Sequence, residues 1–133
     1  MICPFCNAKT QVTNSRSTDQ NQAVWRRRAC TKCFEVWTTK ETISLEKTHT
    51  VFSSCEKHSQ PFSRDILYIS IKDSLQHRKN AVADAGALTD TIISRVIALK
   101  SPKIERSEII SIATRALQAF DQTAAAVYQA MHK

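Results

Sequence analysis

Two short cysteine motifs constrain this chain more than any other feature. Cys3-Pro4-Phe5-Cys6 and Cys30-Thr31-Lys32-Cys33 are separated by 23 residues. Residues 1–41, which contain them, are rich in Thr, Asn, Gln and Arg and hold no long apolar run, so they cannot bury a core that folds unaided. A two-residue spacer bends the backbone into a knuckle that turns both thiolates toward one ion. Two knuckles complete a tetrahedral set of four sulfurs, the preferred structural site for Zn²⁺. The expected ligands are therefore Cys3, Cys6, Cys30 and Cys33, and the expected module is a small β ribbon over residues 1–42. Four protein ligands close the coordination sphere, so the metal is structural. One Cys-x-x-Cys pair alone would leave a redox dithiol open; a matched second pair argues against it. Asn7, after the first pair, tolerates the left-handed backbone such knuckles need, whereas Phe34, after the second, is less comfortable there. Cys55 stands outside the set and reads as a free or packed thiol.

The remaining composition narrows the class. Gly86 is the only glycine, which rules out a glycine-rich phosphate loop. No run of 18 apolar residues exists, so no membrane span is expected, and Met1-Ile2-Cys3-Pro4 has neither the charged start nor the apolar core of a secretory signal. The expected location is cytoplasmic, where thiols stay reduced and serve as metal ligands. His49, His58, His77 and His132 show no spacing with a carboxylate or nucleophile that points to catalysis, so the chain is not expected to be an enzyme.

Lys and Arg total 19 against 12 Asp and Glu, a net charge of +7, and a surplus of this size fits a polyanionic partner. Within residues 1–41 there are seven basic groups and three acids. Four thiolates on one Zn²⁺ offset part of that surplus. Trp25-Arg26-Arg27-Arg28 lies just before the second knuckle. Three Arg on a metal-rigidified hairpin suit phosphate contact or bidentate reading of guanine, and Trp25 beside them can stack on a base or sugar.

Residues 42–62 read as short strands, with the joint between domains near 42–49. A helix is expected from Ser63, a good N-cap, through Ile66, Leu67, Ile71 and Leu75. A second runs from about Asp84 to Lys100, with Leu88, Ile92, Ile93, Val96 and Leu99 on one face and Pro102 closing it. A third starts near Ser107, with Ile109, Ile112, Ala113, Ala116, Leu117 and Phe120 as its stripe. Asp121 caps a last helix carrying Ala124, Val127, Tyr128 and Met131. The expected fold class is thus α+β, a β ribbon over 1–42 and a mainly helical domain with a short β element over 43–133.

The order Cys-Pro-x-Cys, Val12-Thr13-Asn14-Ser15-Arg16, Arg26-Arg27-Arg28-Ala29-Cys30-Thr31-Lys32-Cys33 and Trp37-Thr38-Thr39-Lys40-Glu41 resembles the NrdR family, bacterial transcriptional repressors of ribonucleotide reductase genes. The resemblance implies a zinc ribbon that binds double-stranded DNA, followed by an ATP-cone that senses ATP or dATP and mediates homo-oligomerisation. Carried onto this chain, Arg16, Arg26, Arg27 and Arg28 contact DNA, with Trp25 and Lys32 adjacent. Trp25 stands at the first Arg position, Asn14 at the Asp, Val36 at an Arg and Trp37 at the Phe. Pro61-Phe62-Ser63-Arg64-Asp65 is similar to the family's Phe-Asp-Arg-Glu. Aligned on Phe62, Ser54 falls near the family's phosphate-holding Lys, Lys57 near its Gly, and Ile66 on its second Lys. Val51, Lys57 and Arg64 are then the residues left to meet a nucleotide. A different class also fits the residues: a protein-interaction adaptor whose ribbon is only a folding module.

Overall fold

A computed structural model describes the chain except for residues 19–22 and 55–57, so Cys55 and Lys57 lie outside the described residues. The chain divides into two compact units, Met1–Ile43 and Ser44–Lys133, and the whole is α+β.

The first unit is a three-stranded antiparallel sheet in the order β1-β2-β3, formed by β1 (Thr10–Ser17), β2 (Ala23–Cys30) and β3 (Val36–Thr42). Its side chains supply almost no core: Cys3, Ala23 and Cys30 are the buried hydrophobic residues among those described. The strands are held by their ladder hydrogen bonds and by the two knuckles at one end. The β1–β2 register slips between Val12 and Asn14. Thr13 is thereby left unopposed as a bulge, and its hydroxyl donates to the Arg27 carbonyl at 3.2 Å.

The second unit begins with a single helical turn, α1 (Leu45–Thr48), that sequence periodicity is too short to reveal. A small sheet follows. β4 (Thr50–Phe52) pairs antiparallel with β5 (Gln60–Pro61) and parallel with β6 (Lys103–Glu105), giving the order β5-β4-β6. β6 follows Pro102 and was not expected as a strand. Ile104 at its centre is fully buried, so a three-residue extended segment is fixed by tertiary packing. Parallel partners need a long crossover. Here it runs through α2 (Arg64–Ser74) and α3 (Ala81–Ala98), after which come α4 (Arg106–Phe120) and α5 (Gln122–Met131).

Local chemistry sets the helix ends. Ser63 caps α2, its hydroxyl accepting from the Ile66 amide at 3.3 Å. Glu105 and Glu108 form a reciprocal capping box for α4. Asp121 caps α5, accepting from the Ala124 amide at 3.0 Å. α3 starts at Ala81, three residues before Asp84, with Asn80 at the N-cap. Asp84 sits in its first turn and receives the Arg78 guanidinium at 2.8 Å.

α2 packs on α3 and α5, and α4 packs on α3 and α5. The core between them holds Phe62, Leu67, Ile71, Leu75, Ile92, Val96, Ile104, Leu117 and Tyr128. Each large aliphatic side chain buried there contributes about 1.5–3 kcal/mol relative to exposure. Five residues expected on apolar stripes, Ile66, Leu99, Phe120, Val127 and Met131, are exposed instead. Ile66 lies in the first turn of α2, outside the buried set of Leu67 and Ile71. Leu99 lies at the C-cap of α3, past its last turn. Phe120 carries the Arg78 guanidinium 4.6 Å above its ring. Val127 and Met131 lie on the outer side of α5, which turns Ala124, Ala125 and Tyr128 inward.

Candidate metal centre and nucleic-acid interface

The two knuckles repeat one another in detail. Each leading cysteine donates its amide to the carbonyl five residues on, Cys3 to Ala8 and Cys30 to Glu35, both at 2.9 Å. Each knuckle closes on a residue in the left-handed region, Asn7 at φ 56° and Phe34 at φ 60°. Amide groups point at the sulfurs: Phe5 at Cys3 Sγ (3.4 Å), and Lys32 and Cys33 at Cys30 Sγ (3.3 and 3.4 Å). The four Sγ atoms lie within 4.8 Å of one another, with Cys6–Cys30 at 3.5 Å and Cys3–Cys33 at 3.6 Å. A tetrahedron of sulfurs about 2.3 Å from Zn²⁺ has edges of about 3.8 Å. The donor set therefore fits structural Zn²⁺ in number, element and spacing. The Cys33 and Lys32 amides, with the neighbouring thiols, hold the Cys30 thiol down to about 6 against the effect of burial. At Cys33 the Glu35 amide also favours the thiolate, but burial and the other three sulfurs outweigh it and push the thiol up to about 12. Four adjacent thiolates need a cation to exist together.

The knuckles fix the register of the sheet, and the register decides which side chains share a surface. Arg16, Trp25 and Lys40 stand directly opposite one another across the three strands, and so do Asn14, Arg27 and Thr38. These two rows lie on one face, because residues two apart on a strand point the same way. Ser15, Arg26 and Thr39 form a row on the other face, as do Val12, Arg28 and Trp37. Three consecutive Arg are thus divided, Arg27 to one side and Arg26 and Arg28 to the other. The Arg27 face is exposed throughout, with Trp25 45% accessible and the Lys40 ammonium 5.3 Å from the centre of its ring. On the opposite face Arg26 pairs with Glu41 at 3.1 Å, and Arg28 Nε donates to the Thr39 hydroxyl at 3.4 Å. Trp37 on that face meets Phe5 of the first knuckle edge-on at 6.2 Å. Lys32 is in the second knuckle, exposed, and belongs to neither row.

The second unit has a cavity of about 220 Å³ between the β4–β5 pair, α2, the start of α4 and the end of α5. Val51, Phe62, Ile66, Leu67 and Ile109 give it apolar walls; Arg106, His58, Ser70 and His132 give it polar ones. The Ser70 hydroxyl and His132 Nε2 are 2.6 Å apart. Burial, assisted by the Arg106 charge, lowers the basicity of the His132 imidazole.

A family model described as "Transcriptional repressor NrdR-like, N-terminal domain" matches residues 1–41. Proteins named Transcriptional repressor NrdR align along nearly the whole chain. The one from Pseudarthrobacter chlorophenolicus is 33% identical, with 98% of this chain and 78% of the relative covered. The one from Rhodospirillum centenum is 31% identical, with 100% and 86% covered. The one from Aromatoleum aromaticum is 31% identical, with 93% and 72% covered. The chain belongs to the NrdR family.

Of the residues that the NrdR resemblance marks, the four cysteines come together, and so do Arg16, Trp25 and Arg27. Val51 lines the cavity in the second unit. Arg64 does not; it points across to α3 and pairs with Asp90 at 2.8 Å. Ser54, near the family's lysine position, donates its hydroxyl to Glu105. Two sets of residues escaped the sequence reading. Lys40 was legible in principle, since a strand through Trp37-Thr38-Thr39-Lys40 places every second residue on one face. Arg106, Ser70 and His132 were not, because α2, α4 and α5 meet there only through the tertiary fold.

Proposed function

We propose that this chain is a DNA-binding transcriptional regulator of the repressor type, with Zn²⁺ as the structural element of its DNA-binding ribbon. One observation carries the reading: a four-sulfur centre rigidifies a sheet bearing exposed cations, in a chain that aligns along its whole length with proteins named as transcriptional repressors. Arg and Lys fixed on a stiff sheet bind a polyanion without paying the ordering entropy of a flexible tail. One ribbon buries little surface, so useful affinity calls for several copies acting together. Homo-oligomerisation through the helical unit supplies them.

The same unit is proposed to take an adenine nucleotide, ATP or dATP, as effector. Support comes from the cavity, whose apolar walls suit a base and whose Arg106 suits phosphate. At about 220 Å³ it is smaller than the ~300 Å³ at which ligand pockets usually begin, so the phosphates would extend beyond it. With Arg64 engaged by Asp90, Arg106 is the cation lining the cavity among the described residues.

The test is binding of the full chain, loaded with zinc, to promoter DNA of ribonucleotide reductase genes across a range of salt. The expected result is saturable binding whose log affinity falls linearly with log salt. A chain that binds no duplex, or binds it independently of salt, contradicts the proposal and leaves the adaptor. Light scattering with and without ATP and dATP tests the effector; unchanged mass with both contradicts that part alone.

A further inference from the structure

We propose that duplex DNA is held by only one face of the ribbon, the face of Asn14, Arg16, Trp25, Arg27, Thr38 and Lys40, and that Arg26 and Arg28 serve the ribbon's own packing. The proposal rests on the DNA-binding reading above and assigns its surface.

Charge distinguishes the faces first. Arg16, Arg27 and Lys40 bring three cations to one face, and no Asp or Glu shares its rows among the described residues. The opposite face has two Arg, but Glu41 already neutralises Arg26 at 3.1 Å. Burial separates them next. The Arg26 side chain is 35% exposed and its Nε is buried, while Arg28 is half-buried against Thr39. Drawing either Arg to a phosphate means breaking contacts it makes within the sheet. Arg16, Arg27 and Lys40 are already exposed and make no ion pair among the described residues.

Shape fits as well. Outer strands of a three-stranded sheet lie about 10 Å apart, so with its side chains the sheet is broad for a major groove about 12 Å wide. It is suited to lie along the phosphate backbone, where sequence is not read directly. Asn14 and Thr38 flank Arg27 as neutral hydrogen-bonding groups for phosphate oxygens. Trp25 sits between Arg16 and Lys40, an exposed aromatic plate bracketed by two cations. That combination is the one used to pack on a deoxyribose or an exposed base while cations hold the flanking phosphates.

The two tryptophans of the chain lie on opposite faces, which gives a direct optical test. Zinc-loaded full-length protein is titrated with a labelled mixed-sequence duplex, and binding is followed by anisotropy across salt. Arg16→Ala, Arg27→Ala and Lys40→Ala are each expected to weaken binding several-fold and reduce the salt slope by about 1. Arg26→Gln and Arg28→Gln are expected to change affinity less than about twofold and to leave the salt slope unchanged. In the Trp37→Phe protein, Trp25 emission is quenched as duplex is added; in Trp25→Phe, Trp37 emission stays unchanged. Zinc content measured on every variant identifies any ribbon that has failed to fold, and Arg16→Gln then replaces the alanine variant, with the same loss of affinity and salt slope expected. If Arg26 and Arg28 variants lose slope while Arg16, Arg27 and Lys40 variants keep it, the face assignment is overturned and DNA binding stands. If the unsubstituted protein shows no salt-dependent binding, the DNA reading itself is overturned.

Discussion

Phe34 shows how closely the metal site dictates single residues. The second knuckle demands a left-handed residue after its last cysteine, and Phe34 takes φ 60° there while remaining 79% exposed. The first knuckle meets the same demand with Asn7, whose short polar side chain tolerates the conformation. A β-carbon bearing a bulky ring costs roughly 1–2 kcal/mol in that region, and the exposed Phe34 ring recovers little of this by packing. Phe34→Gly is therefore expected to stabilise the ribbon by about 1 kcal/mol, read as slower zinc loss to a chelator; faster loss would mean that the Phe34 ring packs usefully. The same sheet shows where residue-level reading of a sequence stops. The Arg26-Arg27-Arg28 run is visible as a cluster, yet a two-residue strand period divides it between opposite faces. Composition sums charges, whereas register decides which of them meet a partner.

At the scale of elements, capping carries more than propensity. Asp121 ends the α4–α5 junction by accepting from the Ala124 amide, from His77 at 2.9 Å and from Arg78 at 3.2 Å. The Ala124 amide is the largest influence, ahead of His77 and Arg78, and together they hold the Asp121 carboxyl well below the ordinary value of 3.8. Its folded form thus prefers to be charged. The stability it contributes is fully present above the ordinary carboxylate range and is lost as pH falls through the lowered folded value. Asp121→Asn keeps the cap but removes the charge, so the helical unit is expected to melt lower than the parent at pH 7 and nearly equal to it at strongly acid pH. An equal deficit at both would show that charge plays no part. In α3, a β-carbon added at Gly86 meets nothing within 4 Å. Gly86→Ala is accordingly expected to stabilise the unit by about 1 kcal/mol, seen as a higher Tm; a lower one would mean the glycine serves a close approach. Helices of this kind were legible because Ser63 and Asp121 are strong caps and apolar residues recur at helical spacing. α1 and β6 were not, since four- and three-residue elements carry no period of their own. Leu45 and Ile104 are fixed there by the core they enter.

For the whole molecule, the division of labour follows from what each unit can bury. Residues 44–133 contain a core of aliphatic and aromatic side chains on which that unit can fold. The ribbon, with Cys3, Ala23 and Cys30 as its buried hydrophobic residues among those described, has to take its folding free energy from metal binding. The chain's resemblance to the NrdR family is densest in this metal-dependent part, because ligand spacing survives as a linear motif. The cavity in the helical unit is assembled from four separate segments and leaves no such motif. Metal loss and loss of the cationic face are therefore one event. The measurement that tests this most directly is duplex binding by the full chain before chelation, after it, and after zinc is restored. The expected result is loss of salt-dependent binding on chelation and its recovery with Zn²⁺, with helical circular dichroism retained throughout. Unchanged duplex affinity in the zinc-free protein would contradict the account.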